Sequence, residues 1–217
     1  MFPTFGSLVN AGLVLVGSLI GLRFSSSIPE RLRTLILQSI GLFTLMLGVK
    51  LMADNQPELL KVFFLLLGGA LLGSLLRLEE SLEGLTRGKS SLSAGFVSAS
   101  LLFTVGPMTL VGCILEGSKG DSSLLLSKAL MDGFSSVVLS SSLGKGVALS
   151  ALYVLLFQSS ITLLAHFYGD FLRPQAMANT LFVGGGLMVA TGLKILGLLR
   201  EFKVLNLMPS LLLALFL

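Results

Sequence analysis

The stretch FPTFGSLVNAGLVLVGSLIGL, residues 2–22, decides the fold class, because it is 21 residues long and contains no charged side chain. A helix needs about 20 mostly apolar residues to cross the hydrocarbon core of a membrane. No Lys or Arg precedes Arg23, whereas a cleaved secretory signal begins with basic residues. We therefore interpret residues 2–22 as a membrane span that the mature chain retains.

Apolar runs of similar length recur along the rest of the chain. The seven runs that are long enough, or nearly so, cover residues 2–22, 32–52, 59–76, 92–115, 124–143, 147–167 and 176–199. A last run, residues 204–217, is short for a crossing, and we expect a short eighth helix there. The connections are short, the longest being residues 77–91. The sequence thus predicts an all-α polytopic membrane helix bundle of seven long spans plus a short C-terminal eighth helix, forming a single transmembrane domain over residues 1–217.

The composition supports a membrane protein and excludes several other classes. Apolar residues make up 53% of the chain, charged residues only 12%, and the mean hydropathy is +0.94. Average globular chains carry about 25% charged residues. The net charge of +4 comes from short basic clusters between the apolar runs, which favours anchoring at the membrane surface over nucleic-acid binding. The single cysteine, Cys113, rules out an intrachain disulfide.

The distribution of Lys and Arg among the loops predicts the orientation. If the loops alternate sides, most basic residues fall on one side, in the segments around Arg23, Arg77, Lys145 and Arg200. Loops rich in Lys and Arg tend to be cytoplasmic. We therefore predict a multi-pass protein of the cell (inner) membrane with an external N-terminus.

A weak internal repeat links the second and seventh predicted spans. Gly48-Val49-Lys50-Leu51 matches Gly192-Leu193-Lys194-Ile195, and Lys61-Val62 and Lys203-Val204 each open the next apolar run. The second and seventh spans are five steps apart in the order of the chain, an odd number, so the two copies would run through the membrane in opposite directions. This arrangement is typical of transporters with inverted repeats, although four matched residues in a leucine-rich chain are also compatible with chance.

Lys128 and Asp132 are the most informative charged residues. They are four residues apart, hence on one helical face, and Asp132 falls near the middle of the fifth predicted span. A charge at the bilayer centre costs roughly 2.5–3.5 kcal/mol on insertion scales, so such residues face the protein interior and mark a pathway or relay. The alternative is a structural ion pair that ties this helix to its neighbours.

Gly106 and Pro107 lie near the midpoint of the fourth predicted span. Proline lacks an N–H donor and clashes with the carbonyl group four residues earlier, so we expect a departure from regular helix bonding here. Broken helices at mid-membrane present backbone groups to substrates in many transporters. A plain kink is the alternative.

Other intramembrane polar residues, among them Asn10 and Gln158, are candidates to line a site for a solute or ion. Interhelical hydrogen bonding is the alternative for both. The sequence has no His-Glu-x-x-His zinc motif and no Gly-x-Ser-x-Gly nucleophile elbow. We therefore expect no enzyme activity, no cofactor, no metal ligand and no catalytic residue.

Several separated motifs resemble those of a known family. They are Asn10-Ala11, Ile28-Pro29-Glu30-Arg31-Leu32-Arg33, Gly117, Gly120-Asp121, Lys128, Asp132, Ser142-Leu143-Gly144, Gln158, Ala190-Thr191-Gly192-Leu193-Lys194 and Asn206-Leu207-Met208-Pro209. With these motifs the chain resembles, nearly end to end, the bacterial YqgA-like or YdfK-like membrane proteins, domain-of-unknown-function family 554. The resemblance implies a polytopic helical fold in the inner membrane, and it brings no activity, substrate or catalytic residue with it.

Two functions remain open from the sequence. The first is a small-solute or ion transporter, or permease, whose mid-membrane polar site contains Asp132, Lys128 and the Gly106-Pro107 break. The second is a non-transporting membrane assembly or lipid-organising protein whose polar residues lock the bundle together. In both cases we expect membrane lipids as partners and no nucleic acid. A small solute or ion joins the partners in the first case, and a homo-oligomer is compatible with either.

Overall fold

A computed structural model of the chain describes residues 2–24, 29–84, 91–104, 106–168, 173–199 and 201–216. Every regular element in these ranges is helical, which confirms the predicted fold class. The helices are α1 (Phe5–Arg23), α2 (Glu30–Ala53), α3 (Leu59–Leu75), α4 (Leu78–Gly84), α5 (Ser91–Thr104), α6 (Pro107–Lys119), α7 (Ser123–Leu143), α8 (Gly146–Tyr168), α9 (Pro174–Ile195) and α10 (Pro209–Phe216), with a 3-10 helix at Val204–Leu207 before α10.

Five of these helices are long and apolar enough to cross a membrane, namely α1, α2, α7, α8 and α9. The predicted fourth span is divided into α5 and α6, whose axes differ by 57°. The helix α3 and the segment Val204–Phe216 are apolar but shorter. Large apolar side chains such as Leu75 and Phe216 are exposed on the helix surfaces, as expected where lipid replaces water.

The fourth predicted span is interrupted where the sequence indicated. The helix α5 ends at Thr104 and α6 begins at Pro107, where a missing N–H group costs nothing because the first N–H groups of a helix have no intrahelical partner. The carbonyl oxygen of Gly106 accepts the N–H of Thr109 at 3.1 Å and thus caps the first turn of α6. The predicted break at Gly106 and Pro107 is therefore confirmed.

The chain forms two compact units. The first comprises Met1–Ile36, Glu83–Val105 and Gly112–Gly169, and the second comprises Leu37–Leu82, Gly106–Val111 and Asp170–Leu217. The first unit thus contains α1, α5, α7, α8 and most of α6. The second contains most of α2, together with α3, α9 and α10.

In the first unit, α1 packs closely against α7 through small residues. A Cβ atom on Gly17 would collide with the carbonyl oxygen of Gly133, and one on Gly21 would collide with that of Val137. Only glycine allows the two backbones to approach this closely. A step of four residues along α1, from Gly17 to Gly21, corresponds to a step of four residues in the same direction along α7. The two helices therefore run parallel.

In the second unit, α2 packs against α9 through a reciprocal pair of glycine contacts. A Cβ atom on Gly48 would lie 2.6 Å from the carbonyl oxygen of Gly185, and one on Gly185 would lie 2.7 Å from that of Gly48. Likewise, a Cβ atom on Gly192 would lie 2.6 Å from the carbonyl oxygen of Gly41. The helices run antiparallel, and each glycine of α2 corresponds to one of α9 at the same offset of 144 residues. A two-fold axis between α2 and α9 would exchange the two helices and reproduce these contacts. An inverted repeat requires such an axis.

The packing directions within each unit agree with an alternating path through the membrane. In the first unit Gly95 lies near Gly146, and Gly117 lies near Thr162, so the broken pair α5 and α6 runs parallel to α8. In the second unit Gly69 lies near Ser210, and Gly73 near Asn206, so α3 runs antiparallel to the chain's last helix. Eight alternating crossings produce these same relations.

Candidate functional site

Lys128, Asp132 and Asn10 form a buried polar group in the first unit. The ammonium group of Lys128 donates to both carboxylate oxygens of Asp132, at 2.8 Å and 2.7 Å. The amide Nδ2 of Asn10 donates to Asp132 Oδ2 at 3.0 Å across the contact between α1 and α7. The predicted face of α7 is thus an ion pair with a hydrogen-bond partner from a second helix.

The depth of this group follows from the local sequence. Asp132 is the tenth of the 21 residues of α7, so it lies close to the middle of that helix. Both charged side chains are only 8% exposed. The four-residue spacing brings Lys128 and Asp132 together on one face, and Gly133 lets α1 come close enough for Asn10 to reach the carboxylate. The expectation that Asp132 faces the protein interior is therefore confirmed, and the structure pairs it with Lys128.

Gln158 on α8 faces the same part of the first unit. Val14 of α1 and Val154 of α8 belong to one buried apolar cluster. The helices α1 and α8 run antiparallel, because Gly6 of α1 contacts Glu116 and the adjacent Gly117 lies against Thr162 of α8. Asn10 precedes Val14 by one turn, and Gln158 follows Val154 by one turn. Both steps therefore lead in the same direction along the unit. Gln158 is fully buried, yet neither polar atom of its side chain has a hydrogen-bond partner in the protein. The structure therefore places Gln158 at the level of Asn10, as an amide with unused hydrogen-bonding capacity.

Glu116 is a buried carboxylate that the sequence analysis missed. It lies near the end of α6 and is only 3% exposed. Its Oε1 atom accepts the N–H of Gly6 and the hydroxyl of Ser122, each at 2.6 Å, while Oε2 has no partner in the protein. The contact with Gly6 puts a negative charge at the N-terminus of α1, where the helix dipole stabilises it. In the sequence, Glu116 directly follows an apolar run, which is typical of an exposed residue at the end of a helix. Its burial is visible only from its contacts with distant residues.

An apolar layer closes the other side of this polar region. It consists of Val14, Ala99, Phe103, Val147, Ala151 and Val154, which pack together from α1, α5 and α8. Five of these side chains, including Phe103, are fully buried. The charged and amide side chains of the first unit therefore lie between the start of α1 and Asp132, whereas the buried polar side chains beyond Asp132 are small hydroxyls such as Ser18, Ser136 and Ser150.

The Gly106-Pro107 break belongs to the second unit in the division given above, whereas Asn10, Lys128, Asp132 and Gln158 belong to the first. Space around Gly106 is open, because a Cβ atom there would have no neighbour within 4 Å. The structure thus brings four of the six candidate residues into one unit, and the break contributes an irregular backbone elsewhere.

The second unit has a buried carboxylate of a different kind, Glu79 in α4. It accepts a hydrogen bond from the ammonium of Lys194, and its Oε2 atom accepts the N–H of Leu205 at 3.0 Å. Its own N–H donates to Asn206 Oδ1 at 3.0 Å. Beside it, Glu80 pairs with Lys203, and this hydrogen bond lowers the pKa of the Glu80 carboxyl. Both oxygens of Glu79 are satisfied, so this cluster fastens α4 to the end of α9.

The described residues contain no group of three or more His, Cys, Asp or Glu side chains arranged to hold a metal ion. Among the described residues, the buried polar groups of the first unit are one ammonium, two carboxylates, several neutral side-chain groups and the thiol of Cys113. Such groups bind ions and polar solutes.

Comparison with known proteins adds three findings. Residues 5–217 match the profile of a family described as proteins of unknown function (DUF554). An uncharacterised membrane protein of Bacillus subtilis (strain 168), YdfK, is 34% identical over 214 residues, covering 96% of this chain and 93% of the relative. The uncharacterised protein YqgA of Escherichia coli (strain K12) is 31% identical over 224 residues, covering 96% of this chain and 94% of the relative. No solved structure matches the chain.

Proposed function

As a member of the DUF554 family this chain belongs to a group of uncharacterised membrane proteins, and we propose that it moves a small solute or an ion across the membrane. The substrate site is the polar region of the first unit, centred on Asp132, Lys128 and Asn10. Gln158 lines the same region.

One observation carries this proposal: charged and polar side chains are buried at mid-depth with part of their bonding capacity unused. A buried polar atom without a partner costs about 1–3 kcal/mol, and natural cores avoid such atoms. Asn10 Oδ1 and both polar atoms of Gln158 lie unpartnered near the ion pair. A purely structural ion pair does not require such neighbours, whereas a binding site does.

The two layers of the first unit suggest how transport would proceed. Polar groups lead from the start of α1 to Asp132, and the fully buried apolar residues Val14 and Phe103 belong to the layer that packs next to them from α1, α5 and α8. A solute that replaces part of the Lys128 to Asp132 pairing would occupy the end of the polar path. Separation of the apolar layer would then open the site to the opposite side, which is alternating access.

With the proposed orientation, in which the N-terminus is external and the protein lies in the inner membrane, the polar path opens outward. Single cysteines at Ser91 and Ser118, in a background in which Cys113 is replaced, test this with an impermeant thiol reagent on intact cells. We expect labelling at position 118 alone. Labelling at position 91 alone would reverse the orientation and leave the transport proposal standing.

A non-transporting assembly or lipid-organising role is the second candidate. It is favoured by the close mutual neutralisation of Lys128 and Asp132, which needs no ligand to hold α7 in place. This role predicts that replacing the pair changes only the stability of the bundle. The decisive measurement is therefore one that separates flux from stability.

The test uses purified protein reconstituted in sealed vesicles. Fluxes of protons, alkali cations and chloride are followed with entrapped dyes and ion electrodes, and uptake of labelled amino acids is followed by filtration. We expect flux of at least one probe, and its loss in Asp132→Asn with the protein still folded by size-exclusion chromatography. Glu79→Gln is the matched control, a buried carboxylate outside the site, and should retain flux. If every probe moves as slowly as in empty vesicles, or if Asp132→Asn retains full flux, transport through this site is wrong.

A further inference from the structure

Five buried oxygen atoms without a hydrogen-bond partner lie at the polar end of the first unit. They are Ser7 Oγ, Asn10 Oδ1, Glu116 Oε2, Gln158 Oε1 and Thr162 Oγ1. Each of their side chains belongs to a residue that is 3% exposed or less. They come from three helices, α1, α6 and α8, so no short-range sequence pattern groups them.

Backbone contacts draw these helices together at this level. The N–H of Gly6, next to Ser7, donates to the other oxygen of Glu116 at 2.6 Å. A Cβ atom on Gly117 would collide with the carbonyl oxygen of Thr162, which lies one turn beyond Gln158 on the same face of α8. Asn10 lies one turn from Ser7 along the buried face of α1. The five oxygens therefore border one region between the three helices.

The buried charges in this region do not balance. Among the described residues of the first unit, the buried charged side chains are Glu116, Lys128 and Asp132. Lys128 donates to both oxygens of Asp132 and thus neutralises that carboxylate. Glu116 accepts only neutral donors, from Gly6 and Ser122. The buried acidic side chains therefore outnumber the buried ammonium group by one, and a buried carboxylate without a counter-charge is costly.

We propose that this region binds one alkali metal cation, held by Glu116 Oε2 and the neutral oxygens of Asn10, Gln158 and Ser7. A hard cation prefers oxygen ligands, and all four of these proposed ligand atoms are oxygens. A single positive charge balances the single excess carboxylate, whereas a divalent ion would leave the core positive. The amide group of Gln158 also brings an NH₂ donor, which a water molecule on the bound cation would satisfy.

The inference deepens the proposed function and rests on it in one respect, because the cation is taken as the ion that couples to, or is, the transported species. Asn10 connects the two groups directly, with Nδ2 bonded to Asp132 and Oδ1 facing the cation region. Binding of the cation would therefore orient the amide that holds the Asp132 carboxylate. Cation binding itself is measurable without any flux.

The experiment measures the melting temperature of the full-length protein in detergent at increasing concentrations of NaCl, KCl or LiCl. Choline chloride keeps the ionic strength constant. We expect a saturable rise in Tm with at least one alkali cation, because a ligand that binds only the folded state stabilises it by mass action. Two variants should abolish the response. Glu116→Gln removes the charge and keeps the shape, and Gln158→Leu removes the unpartnered amide without loss of volume.

Gln158→Leu guards against misfolding as an explanation, because it should melt no lower than the wild type in choline chloride while losing the cation response. Glu79→Gln is the control, and should retain the response even if its Tm is lower. The inference is overturned if all salts act equally, if both site variants keep the response, or if Tm depends on pH but on no alkali cation. Saturable cation binding without flux in vesicles would keep this inference and remove the transport proposal, and flux without cation binding would do the reverse.

Discussion

The two units each contain a closely packed helix pair, and the contrast between these pairs separates packing from function. In the second unit α2 and α9 meet through Gly41, Gly48, Gly185 and Gly192, and no buried residue of either helix is charged. In the first unit α1 and α7 also meet through glycines, yet they enclose the pair formed by Lys128 and Asp132. Close approach of backbones is therefore enough to hold two helices together here. The charged pair in the first unit is therefore an addition to what such packing requires, and this agrees with the proposed site.

The two buried glutamates show the same contrast at the level of single atoms. Glu79 in the second unit uses both of its oxygens, on Lys194 and on a backbone N–H. Glu116 in the first unit uses one oxygen twice and leaves the other without a partner. A carboxylate that only connects two helices has both oxygens hydrogen-bonded within the protein. A carboxylate with one oxygen unbonded can still accept a hydrogen bond from, or coordinate, a ligand.

The largest effect is expected where packing alone operates. Gly48→Leu places a side chain against the backbone of α9 and cannot be relieved by a rotamer change, because the obstructing atoms belong to Gly185 and Val189. We expect a loss of at least about 3 kcal/mol, the upper end of overpacking costs, with little protein recovered as a single species. Size-exclusion chromatography and thermal melting measure this. Gly12→Leu is the matched control, since a Cβ atom there has no neighbour within 4 Å. If the two variants behave alike, the α2 to α9 contact does not hold the fold.

The next effect concerns the charges of the first unit. Lys128→Met leaves Asp132 buried with only Asn10 as a partner, and we expect destabilisation of about 3–5 kcal/mol, the range for breaking a buried pair. The double variant Lys128→Met with Asp132→Leu should recover most of that stability, because no unpaired charge remains. Thermal melts of both proteins give the comparison. Flux should be absent from both, and a stable double variant with normal flux would assign the pair to packing after all.

A smaller effect is expected for Glu79, which connects α4 to Lys194 and Leu205 in the second unit. Glu79→Gln keeps the shape and leaves the half-exposed Lys194 without its counter-charge, so we expect a loss of about 1–3 kcal/mol. Chemical denaturation in mild detergent would measure it. Flux in vesicles should stay at the wild-type level, and a large loss of flux would erase the distinction drawn between the two glutamates.

The smallest effect is a pH dependence at the surface. The hydrogen bond from Lys203 lowers the pKa of Glu80 below its ordinary value of 4.5. A lowered pKa means that the contribution to stability is present above the ordinary value and is lost as the pH falls through the pKa of the folded protein. We expect Tm to fall between about pH 6 and about pH 3, and a small part of that fall to be missing in Glu80→Gln. Parallel curves for the two proteins would show that this pair contributes nothing.

Local pattern was sufficient for the helices and for the central pair. Runs of apolar residues predicted the five long helices α1, α2, α7, α8 and α9. The spacing of Lys128 and Asp132 put them on one face, and the proline marked the break after Thr104. The 77–91 segment was expected as a loop, yet it contains α4, whose place depends on the contacts of Glu79 with distant residues. Glu116 was missed for the same reason, because its burial comes from Gly6 and Ser122 and not from its neighbours in α6. Long-range partners are not visible in a local pattern.

The reciprocal glycine contact between α2 and α9 has a consequence for the energetics of a transport cycle. A half-turn that exchanges the two helices also exchanges the two faces of the membrane, and the contact is the same after this operation as before it. If the two halves of the repeat trade conformations, this interface therefore enters the outward and inward states with equal energy. The α2 to α9 contact then favours neither state. Any difference in free energy between the outward and inward states must come from residues that the half-turn does not duplicate.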